Sequence, residues 1–172
     1  MKHLILPDIK YEKDYILALE ETENQTTDTC LARPTDNQSF TDFIEKLNSQ
    51  AKGHNLPDGY LPATTYWLID NDEFIGRVQI RHELNKQLIN VGGHIGYYIR
   101  PSKRRMGYGK KILELGLKKA QELGIPNVLV TCDIDNIASK KIIEDNGGVY
   151  ENTFDEGNGK NPTMRYWIKV TK

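Results

Sequence analysis

The stretch of chain from residue 94 to residue 132 is the feature that most constrains the fold. It opens with "HIGYYIR", whose β-branched and aromatic residues favour a strand. A basic turn with two glycines, "PSKRRMGYG", leads into a segment with an apolar stripe at helical spacing, which predicts a helix from about Tyr108 to Leu123. Gly124 and Pro126 end that helix, and "NVLVTC" follows as a continuous apolar strand of the kind buried on both faces. The stretch therefore predicts a strand, a glycine turn, a helix and a second strand in immediate succession.

The rest of the chain supplies further strands and helices around this unit. "HLILPDI" predicts a short first strand, the spacing of Tyr11, Tyr15 and Leu19 predicts a helix, and a second helix begins near Ser39 and stops at Gly53. "ATTYWLI" and "FIGRVQIRH" predict an antiparallel pair that continues into "HIGYYIR", with "ELNKQLINVGG" as a bulged turn or longer loop. A short helix, "IASKKIIEDN", and a final hairpin complete the order β-α-α-β-β-β-α-β-α-β-β. We expect a mixed α/β fold with a mostly antiparallel central sheet and helices on both faces, in a single domain spanning residues 1–172.

Composition and charge exclude several classes of protein. Lys and Arg (23) nearly balance Asp and Glu (24), so the net charge of -1 predicts no generic nucleic-acid-binding face. Cys30 and Cys132 form no CxxC pair, so we expect neither a disulfide scaffold nor a zinc site. The sequence shows no apolar run near the roughly 20 residues that span a membrane, and no signal peptide at its start. We expect a soluble, cytoplasmic protein without a metal.

The glycine turn before the long helix has the properties of an anion site. The first amides of a helix lack intrahelical partners and lie at the positive end of its dipole, and glycine lets the backbone approach a phosphate closely. The spacing excludes the P-loop GxxxxGK[ST], and the dinucleotide fingerprint fails because isoleucine stands at position 112. Arg104, Gly107 and Gly109 match the pattern [Q/R]xxGx[G/A]. From the turn alone, a solvated basic turn remains an equal alternative.

Together with the segments before and after it, the glycine turn resembles the coenzyme-binding region of the GNAT superfamily, the acyl-CoA-dependent N-acyltransferases. The resemblance rests on "HIGYYIR", the glycine turn, "NVLVTC" and the helix opened by "DNIAS", which is similar to the family's Asn-x-x-[Ala/Ser] helix. The resemblance covers roughly residues 63 to 150 well, whereas the N-terminal third of the chain matches only in the order of its helices and strands. It implies that the turn binds the pyrophosphate of coenzyme A and that the next strand splays away to admit the pantetheine arm.

The resemblance also implies which residues bind acetyl-CoA. Backbone groups of the strand before the turn would hydrogen-bond the pantetheine, and backbone amides of the turn would bind the pyrophosphate beside Arg104. Asn136 and Ser139 would contact the coenzyme arm, although Asn136 is equally a favoured helix N-cap. The full set of expected binding residues is Tyr97, Tyr98, Ile99, Arg104, Arg105, Met106, Gly107, Tyr108, Gly109, Lys110, Asn136 and Ser139.

The catalytic residues are less clear, because two positions commonly used in the family hold other residues. The position of the usual carboxylate base is Gly93, and the position of the usual tyrosine acid is Ile143. Glu83 and His94 are the candidate bases, directly or through water. Tyr98 and Tyr150 are candidate donors. Cys132 as the nucleophile of a ping-pong reaction is a competing hypothesis, although a buried inert thiol is far commoner.

The resemblance implies an acetyl-CoA-dependent N-acetyltransferase that transfers its acetyl group directly to a primary amine in a ternary complex. The acceptor could be a small molecule, an amino acid or a peptide N-terminus. The segments expected near the acceptor contribute Asp58, Tyr60, Tyr66, Arg81, His82 and Glu83, with "FDEGNGKNP" near the rim. Their acidic residues would suit a cationic amine. A non-catalytic acyl-CoA-binding or sensing module is the alternative, and a protein-binding domain independent of CoA is a further one. Homodimers are common among relatives, and we expect no nucleic-acid or membrane partner.

Overall fold

Seven strands and five α-helices make up the computed structural model, which describes residues 1–23, 31–54, 56–157 and 159–170. The strands are β1 His3–Ile5, β2 Ala63–Asp70, β3 Glu73–Arg81, β4 Ile95–Ile99, β5 Asn127–Asp133, β6 Val149–Phe154 and β7 Thr163–Lys169. The helices are α1 Glu12–Glu23, α2 Phe40–Gln50, α3 Lys86–Asn90, α4 Tyr108–Glu122 and α5 Ile137–Asp145. Short 3-10 turns lie at Ile9–Tyr11 and Pro101–Lys103.

The seven strands form one sheet in the order β1-β2-β3-β4-β5-β7-β6. Every neighbouring pair is antiparallel except β4 and β5, which run parallel because α4 carries the chain back between them. The predicted mixed fold with a mostly antiparallel sheet is confirmed. The final hairpin adds β7 beside β5 and leaves β6 at the edge.

Helices cover both faces of the sheet and bury a core on each. On one face, Ile112 and Leu113 of α4 and Ile143 of α5 are fully buried against β3, β4 and β5. Gly116 lies in the same face of α4, and a Cβ there would come within 3.1 Å of a methyl of Val78, so glycine allows α4 to pack closely on the sheet. The other face holds an aromatic core between α1, α2 and the first strands, formed by Tyr15, Phe40, Phe43, Trp67 and Phe74.

The sequence predicted most elements and missed one. Ser39 caps α2 as expected, because its hydroxyl accepts from the amide of Asp42. Helix α3 lies in the segment expected to be a loop; the side chain of Asn85 accepts from the amide of Leu88 and starts this single helical turn. Cys30 lies outside the described residues. None of the helices in the described ranges is long and apolar enough to cross a membrane.

Candidate active site

Strands β4 and β5 diverge at the centre of the sheet. β4 pairs with β3 at five successive positions, from Ile95 to Ile99, whereas its pairing with β5 is confined to Ile95 opposite Val130 in the described chain. Beyond Ile95, the β5-facing edge of β4 therefore carries backbone groups outside the sheet ladder. An extended molecule inserted at this edge could hydrogen-bond β4 as an added strand would. The divergence of these two strands, which the family resemblance implied, is therefore present and begins directly after Ile95.

The two strands are held together at the start of β4 by a close backbone approach at Gly93. Its φ is +60°, and a Cβ there would lie 2.5 Å from the carbonyl oxygen of Leu129. The next amide, that of His94, donates to the same carbonyl at 2.7 Å. Residue 93 is the position at which the family commonly has a carboxylate, and the backbone contact leaves no room for a side chain there.

His94 connects β4 to β5 through its ring. The amide of Leu129 donates to Nδ1 of His94 at 2.9 Å, so the neutral ring carries its proton on Nε2. Burial and then the nearby charge of Arg81 lower the pKa of His94, which keeps the ring neutral. Because the lone pair on Nδ1 is already engaged and Nε2 is protonated, this placement argues against His94 as the general base and indicates a positioning role.

The remaining candidate base, Glu83, lies in an exposed bend just after β3. The preceding His82 is engaged with Thr64, whose hydroxyl lies 2.8 Å from its Nε2. Glu83 is two residues beyond Arg81, whose amide donates to the carbonyl of His94. Glu83 is therefore close to the start of β4 along the sheet, and its side chain is exposed.

Tyr97 and Tyr98 of β4 point to opposite faces of the sheet. The hydroxyl of Tyr97 donates to Oγ of Ser139 on α5 at 3.1 Å, so this phenol bridges the splay. Burial raises the pKa of Tyr97 to about 12, which keeps the phenol protonated near neutral pH. Tyr98 is 3% exposed, and its hydroxyl hydrogen-bonds the hydroxyl of Thr22 in α1. The placement of Tyr98 in the aromatic core argues against it as the proton donor.

The glycine turn presents the N-terminus of α4 beside the splay. Arg105 has φ of +59°, Gly107 has φ of +79°, and Gly107 is the N-cap of α4 without a side-chain cap. The first turn of α4 contains no acidic residue. A Cβ on Gly107 would meet nothing within 4 Å, so the backbone here is open to a ligand. The turn thus offers uncapped helical amides in the arrangement that binds phosphate groups.

The basic side chains around the turn are less available than the sequence suggests. Lys103 is paired with Glu73 at 2.7 Å, Lys110 lies 3.5 Å from Asp145, and the Nε of Arg104 donates to the carbonyl of Ile99 at 3.0 Å. Arg105 and Met106 are exposed. The positive potential at the turn therefore comes mainly from the helix N-terminus and the two arginines.

The second glycine of the motif has a different role from the first. A Cβ on Gly109 would lie 2.5 Å from Cδ1 of Ile142, so this glycine lets α4 approach α5. Tyr108, between the two glycines, donates its hydroxyl to Asp70 at the end of β2. Only Gly107 of the pair can be substituted without disturbing helix packing.

Helix α5 carries two of the expected binding residues at its start. The side chain of Asn136 accepts from the amide of Ser139 at 3.0 Å, which makes Asn136 the N-cap, while Ser139 also accepts from Tyr97. Ile143, at the position of the usual tyrosine acid, is fully buried in the core. Helix α5 thus contributes polar groups to the splay only at its first turn.

A buried arginine that sequence reasoning missed fixes the chain between β4 and the turn. Arg100 is 5% exposed, pairs with Glu21 of α1 and donates to the carbonyl of Phe74 at 3.1 Å. Glu21 also accepts from the amide of Ser102 at 3.1 Å. Burial opposes ionisation of Glu21, but the bonds from Arg100 and Ser102 lower its pKa overall. An arginine directly after an apolar strand is the only sequence signal for this contact.

Cys132 does not have the surroundings of a nucleophile. It is a buried, unpaired thiol in the core beside α5, and burial raises its pKa to about 11. A thiol of that pKa is almost entirely neutral near pH 7, and the thiolate is the reactive form. No group of three His, Cys, Asp or Glu side chains that could hold a metal ion occurs in the described residues.

A cavity of about 590 Å³ opens on the opposite face of the sheet, between α2, α3 and strands β2 and β3. Of the residues expected near the acceptor, Tyr60 and Arg81 line this cavity, whereas Asp58, Tyr66, His82 and Glu83 do not. The guanidinium of Arg81 donates to the carbonyls of Gly92 and Gly93, each at 2.9 Å. The cavity therefore reaches the start of β4, next to the splay.

The chain matches the family model of the acetyltransferase (GNAT) domain over residues 4–149. A search of curated proteins finds no match. Solved structures share the fold at low identity. One is a Salmonella typhimurium acetyltransferase that modifies the N-terminal serine of ribosomal protein L7/L12, with TM-score 0.67 and 16% identity over 99% of this chain and 95% of that one.

Two further solved structures with this fold are similar to the chain. The microcin C7 self-immunity acetyltransferase MccE, in complex with acetyl-CoA and AMP, has TM-score 0.67 and 16% identity over 98% of this chain and 92% of that one. A chimera of the Vibrio cholerae spermidine N-acetyltransferase SpeG with hSSAT has TM-score 0.62 and 14% identity over 98% of this chain and 95% of that one. Since the family model covers most of the sequence, this chain belongs to the GNAT acetyltransferase family.

Proposed function

We propose that the protein is an acetyl-CoA-dependent N-acetyltransferase that acts by direct transfer to a primary amine in a ternary complex. The observation that carries the proposal is the divergence of β4 from β5 immediately beside the uncapped N-terminus of α4. Similar structures act, by their names, on a protein N-terminal serine and on spermidine, which supports an amine acceptor. We place the reaction in the cytoplasm, as expected from the sequence, and a homodimer stays a prediction.

The residues around the splay fit acetyl-CoA. Backbone groups of Tyr97, Tyr98 and Ile99 lie on the edge of β4 where the ladder with β5 has ended, and they would hydrogen-bond the pantetheine arm. The amides of residues 105–110 would bind the pyrophosphate at the start of α4, with Arg104 and Arg105 beside them. Asn136 and Ser139 would contact the arm from α5.

In the reaction, the neutral amine nitrogen attacks the thioester carbonyl carbon, a C–N bond forms, the C–S bond breaks and coenzyme A leaves as a thiolate. The proton that becomes acidic on the attacking nitrogen passes to this thiolate, directly or through water, which gives the amide and the free thiol. An alkylamine with a pKa near 10.4 is mostly protonated at neutral pH, so its proton has to be removed first. Glu83, acting through water, is the group we propose for this step. A thiol with a pKa of about 8.5 is an adequate leaving group even without a strong acid.

We propose Tyr97 as the phenol that assists departure of the thiolate. It points to the same face as α5 and bridges the splay through Ser139. Because its pKa is raised to about 12, it stays protonated, and its O–H would turn from Ser139 to the sulfur to donate a hydrogen bond to the developing negative charge. Positioning of the thioester by the β4 backbone would supply most of the remaining rate enhancement.

Calorimetry followed by a thiol-release assay tests the proposal. We expect acetyl-CoA and CoA to bind the purified protein, and free thiol to appear when a suitable amine is added. Binding of acetyl-CoA without turnover across a broad amine panel would support a non-catalytic acyl-CoA-sensing module instead. If neither acetyl-CoA nor CoA binds, both the enzyme and the acyl-CoA-sensing module are excluded, and a protein-binding domain independent of CoA explains the result better.

A further inference from the structure

The cavity between α2, α3 and strands β2 and β3 is connected to the proposed reaction centre by one row of the sheet. Its volume of about 590 Å³ is in the range of small-ligand sites. Thr65 of β2 lies directly opposite Gln79 of β3, and Gln79 lies directly opposite Gly96 of β4. Residues directly opposite each other in a ladder project to the same face of the sheet. Because Thr65 and Gln79 both line the cavity, this row leads from the cavity to the start of the splay.

One member of this row has a buried polar group without a partner. Thr65 is 3% exposed, and its hydroxyl has no hydrogen-bond partner among the described residues. Gln79 is only partly buried, so its side-chain amide is available on the cavity side of β3. A buried hydroxyl without a partner costs free energy, and a bound polar ligand would supply the missing bond. The two side chains therefore favour a ligand that carries a polar group at this place.

The chemistry of the two side chains matches that of a carboxamide. A glutamine side chain carries a carbonyl acceptor and an NH₂ donor, and a threonine hydroxyl donates or accepts. A carboxamide on the ligand carries the same two kinds of group, so it would pair with the amide of Gln79 and also bond the hydroxyl of Thr65. An alkyl group in this place would leave the buried hydroxyl unpaired. Apolar side chains on the cavity wall, among them Phe43, Leu47 and Leu88, would contact the rest of the ligand.

Gly96 leaves the end of the row at β4 open. Among the described residues, a Cβ on Gly96 would meet only the terminal nitrogens of Arg81, both at 3.9 Å, which is an ordinary van der Waals distance. The preceding residue, Ile95, is the last position at which β4 pairs with β5 in the described chain. Neighbouring strands lie about 4.8 Å apart. An amine one carbon away from a carboxamide bound by Gln79 would therefore reach the backbone of β4 at Gly96, where the splay begins.

We infer that the acceptor is an α-amino amide, in the form of an amino-acid amide or a peptide N-terminus, whose carboxamide is bound by Thr65 and Gln79. The inference rests on the proposed function, since the acceptor is that of the N-acetyl transfer. It narrows the primary amine of that function to one with a neutral polar group on the next carbon. Asp58 and Glu83, which were expected to suit a cationic amine, do not line the cavity.

Two amines of the same shape test the inference by calorimetry on the protein saturated with coenzyme A, without any need for turnover. Glycinamide carries the carboxamide, and isobutylamine has an isopropyl group in its place; at about pH 6 both are protonated. We expect glycinamide to bind about tenfold more tightly or better, because isobutylamine leaves the buried hydroxyl unpaired. Glycylglycinamide then distinguishes the two sources: binding as tight as that of glycinamide or tighter indicates a peptide N-terminus, and weaker binding indicates a small amino-acid amide.

Two adjacent threonines of β2 provide a matched pair of variants. Thr65→Val removes the unpartnered hydroxyl with little change in size, so it should abolish the preference for glycinamide without lowering the melting temperature of the free protein. Thr64→Val is the control, because the hydroxyl of Thr64 lies 2.8 Å from Nε2 of His82 and outside the cavity. We expect the control to melt at a lower temperature and to keep the preference. Gln79→Met, which keeps the length of the side chain but lacks the amide, should lose the preference as Thr65→Val does.

Four results would overturn the inference. They are equal binding of glycinamide and isobutylamine, no measurable binding of either amine, a preference that survives in Thr65→Val, and a melting temperature that falls as far in Thr65→Val as in Thr64→Val. The last result would show that the hydroxyl of Thr65 already has a partner within the chain. Failure of the proposed function shows separately, as an absence of acetyl-CoA binding and of thiol release with every amine.

Discussion

Substituting Gly107 with glutamate tests whether the N-terminus of α4 binds the pyrophosphate. Gly107 and Gly124 form a matched pair, because both have φ of +79° and open space around the Cβ position. They lie at opposite ends of the same helix, Tyr108–Glu122. A non-glycine residue in this left-handed conformation costs about 1–2 kcal/mol at either position.

The two glutamates differ in their distance from the proposed phosphates. A carboxylate at Gly107, about 5 Å from one phosphate charge, is repelled by about 3 kcal/mol at an effective permittivity of about 20. That energy weakens acetyl-CoA binding by about a hundredfold or more. Residue 124 is about 25 Å further along the helix axis, well beyond a Debye length of about 8 Å, so its carboxylate is screened.

Calorimetric titration of acetyl-CoA into both variants is the assay, with circular dichroism and thermal melts to show that both are folded. We expect Gly107→Glu to lose at least two orders of magnitude in affinity and Gly124→Glu to bind like the wild type. Near-wild-type binding by Gly107→Glu would refute the assignment of the turn. An equal loss in both variants would show that backbone strain, rather than charge, accounts for the effect.

Three other substitutions probe stability and proton transfer. Glu21→Gln removes the charge opposite Arg100, whose guanidinium also lies 3.5 Å from Glu73, so urea unfolding should show a loss of about 2 kcal/mol at neutral pH. Because the pKa of Glu21 is lowered on folding, that loss should shrink as the pH falls through its folded-state pKa. Gly93→Ala should lower the melting temperature, since a methyl there meets a β5 carbonyl at 2.5 Å, and an unchanged melt would contradict this. Glu83→Gln should reduce turnover more at low pH than at high pH, because at high pH the amine loses its proton without a base. A reduction of the same size at every pH would indicate that Glu83 only positions the substrate.

The sequence predicted the fold well because the signals for it are local. The apolar stripe of α4, the cap at Ser39 and the apolar run of β5 each lie within one element, and the order of elements then determines the sheet. Helix α3 was missed because a single turn of five residues has too little periodicity, although Asn85 was a usable N-cap signal.

The site was harder to predict because its chemistry depends on distant segments. Lys103 belongs to the basic turn in the sequence, but Glu73 from another strand pairs with it. Gly107 and Gly109 both belong to the phosphate-binding pattern, but only the packing of α5 shows that Gly109 allows close contact between helices. The cavity between α2, α3 and strands β2 and β3 joins residues from Tyr15 to Leu88 that no short motif connects. Local patterns therefore predicted the glycine turn and the strands beside it, whereas this cavity was visible only in the tertiary packing.

A crystal structure of the protein with coenzyme A tests the central claim most directly. We expect the pyrophosphate oxygens within hydrogen-bond distance of the amides of residues 105–110 and the pantetheine arm alongside Tyr97 to Ile99 in the gap between β4 and β5. The thiol should then lie near the start of β4, on the way to the cavity lined by Arg81. Coenzyme A bound away from the glycine turn, or a gap that stays closed at saturating coenzyme A, would contradict the account.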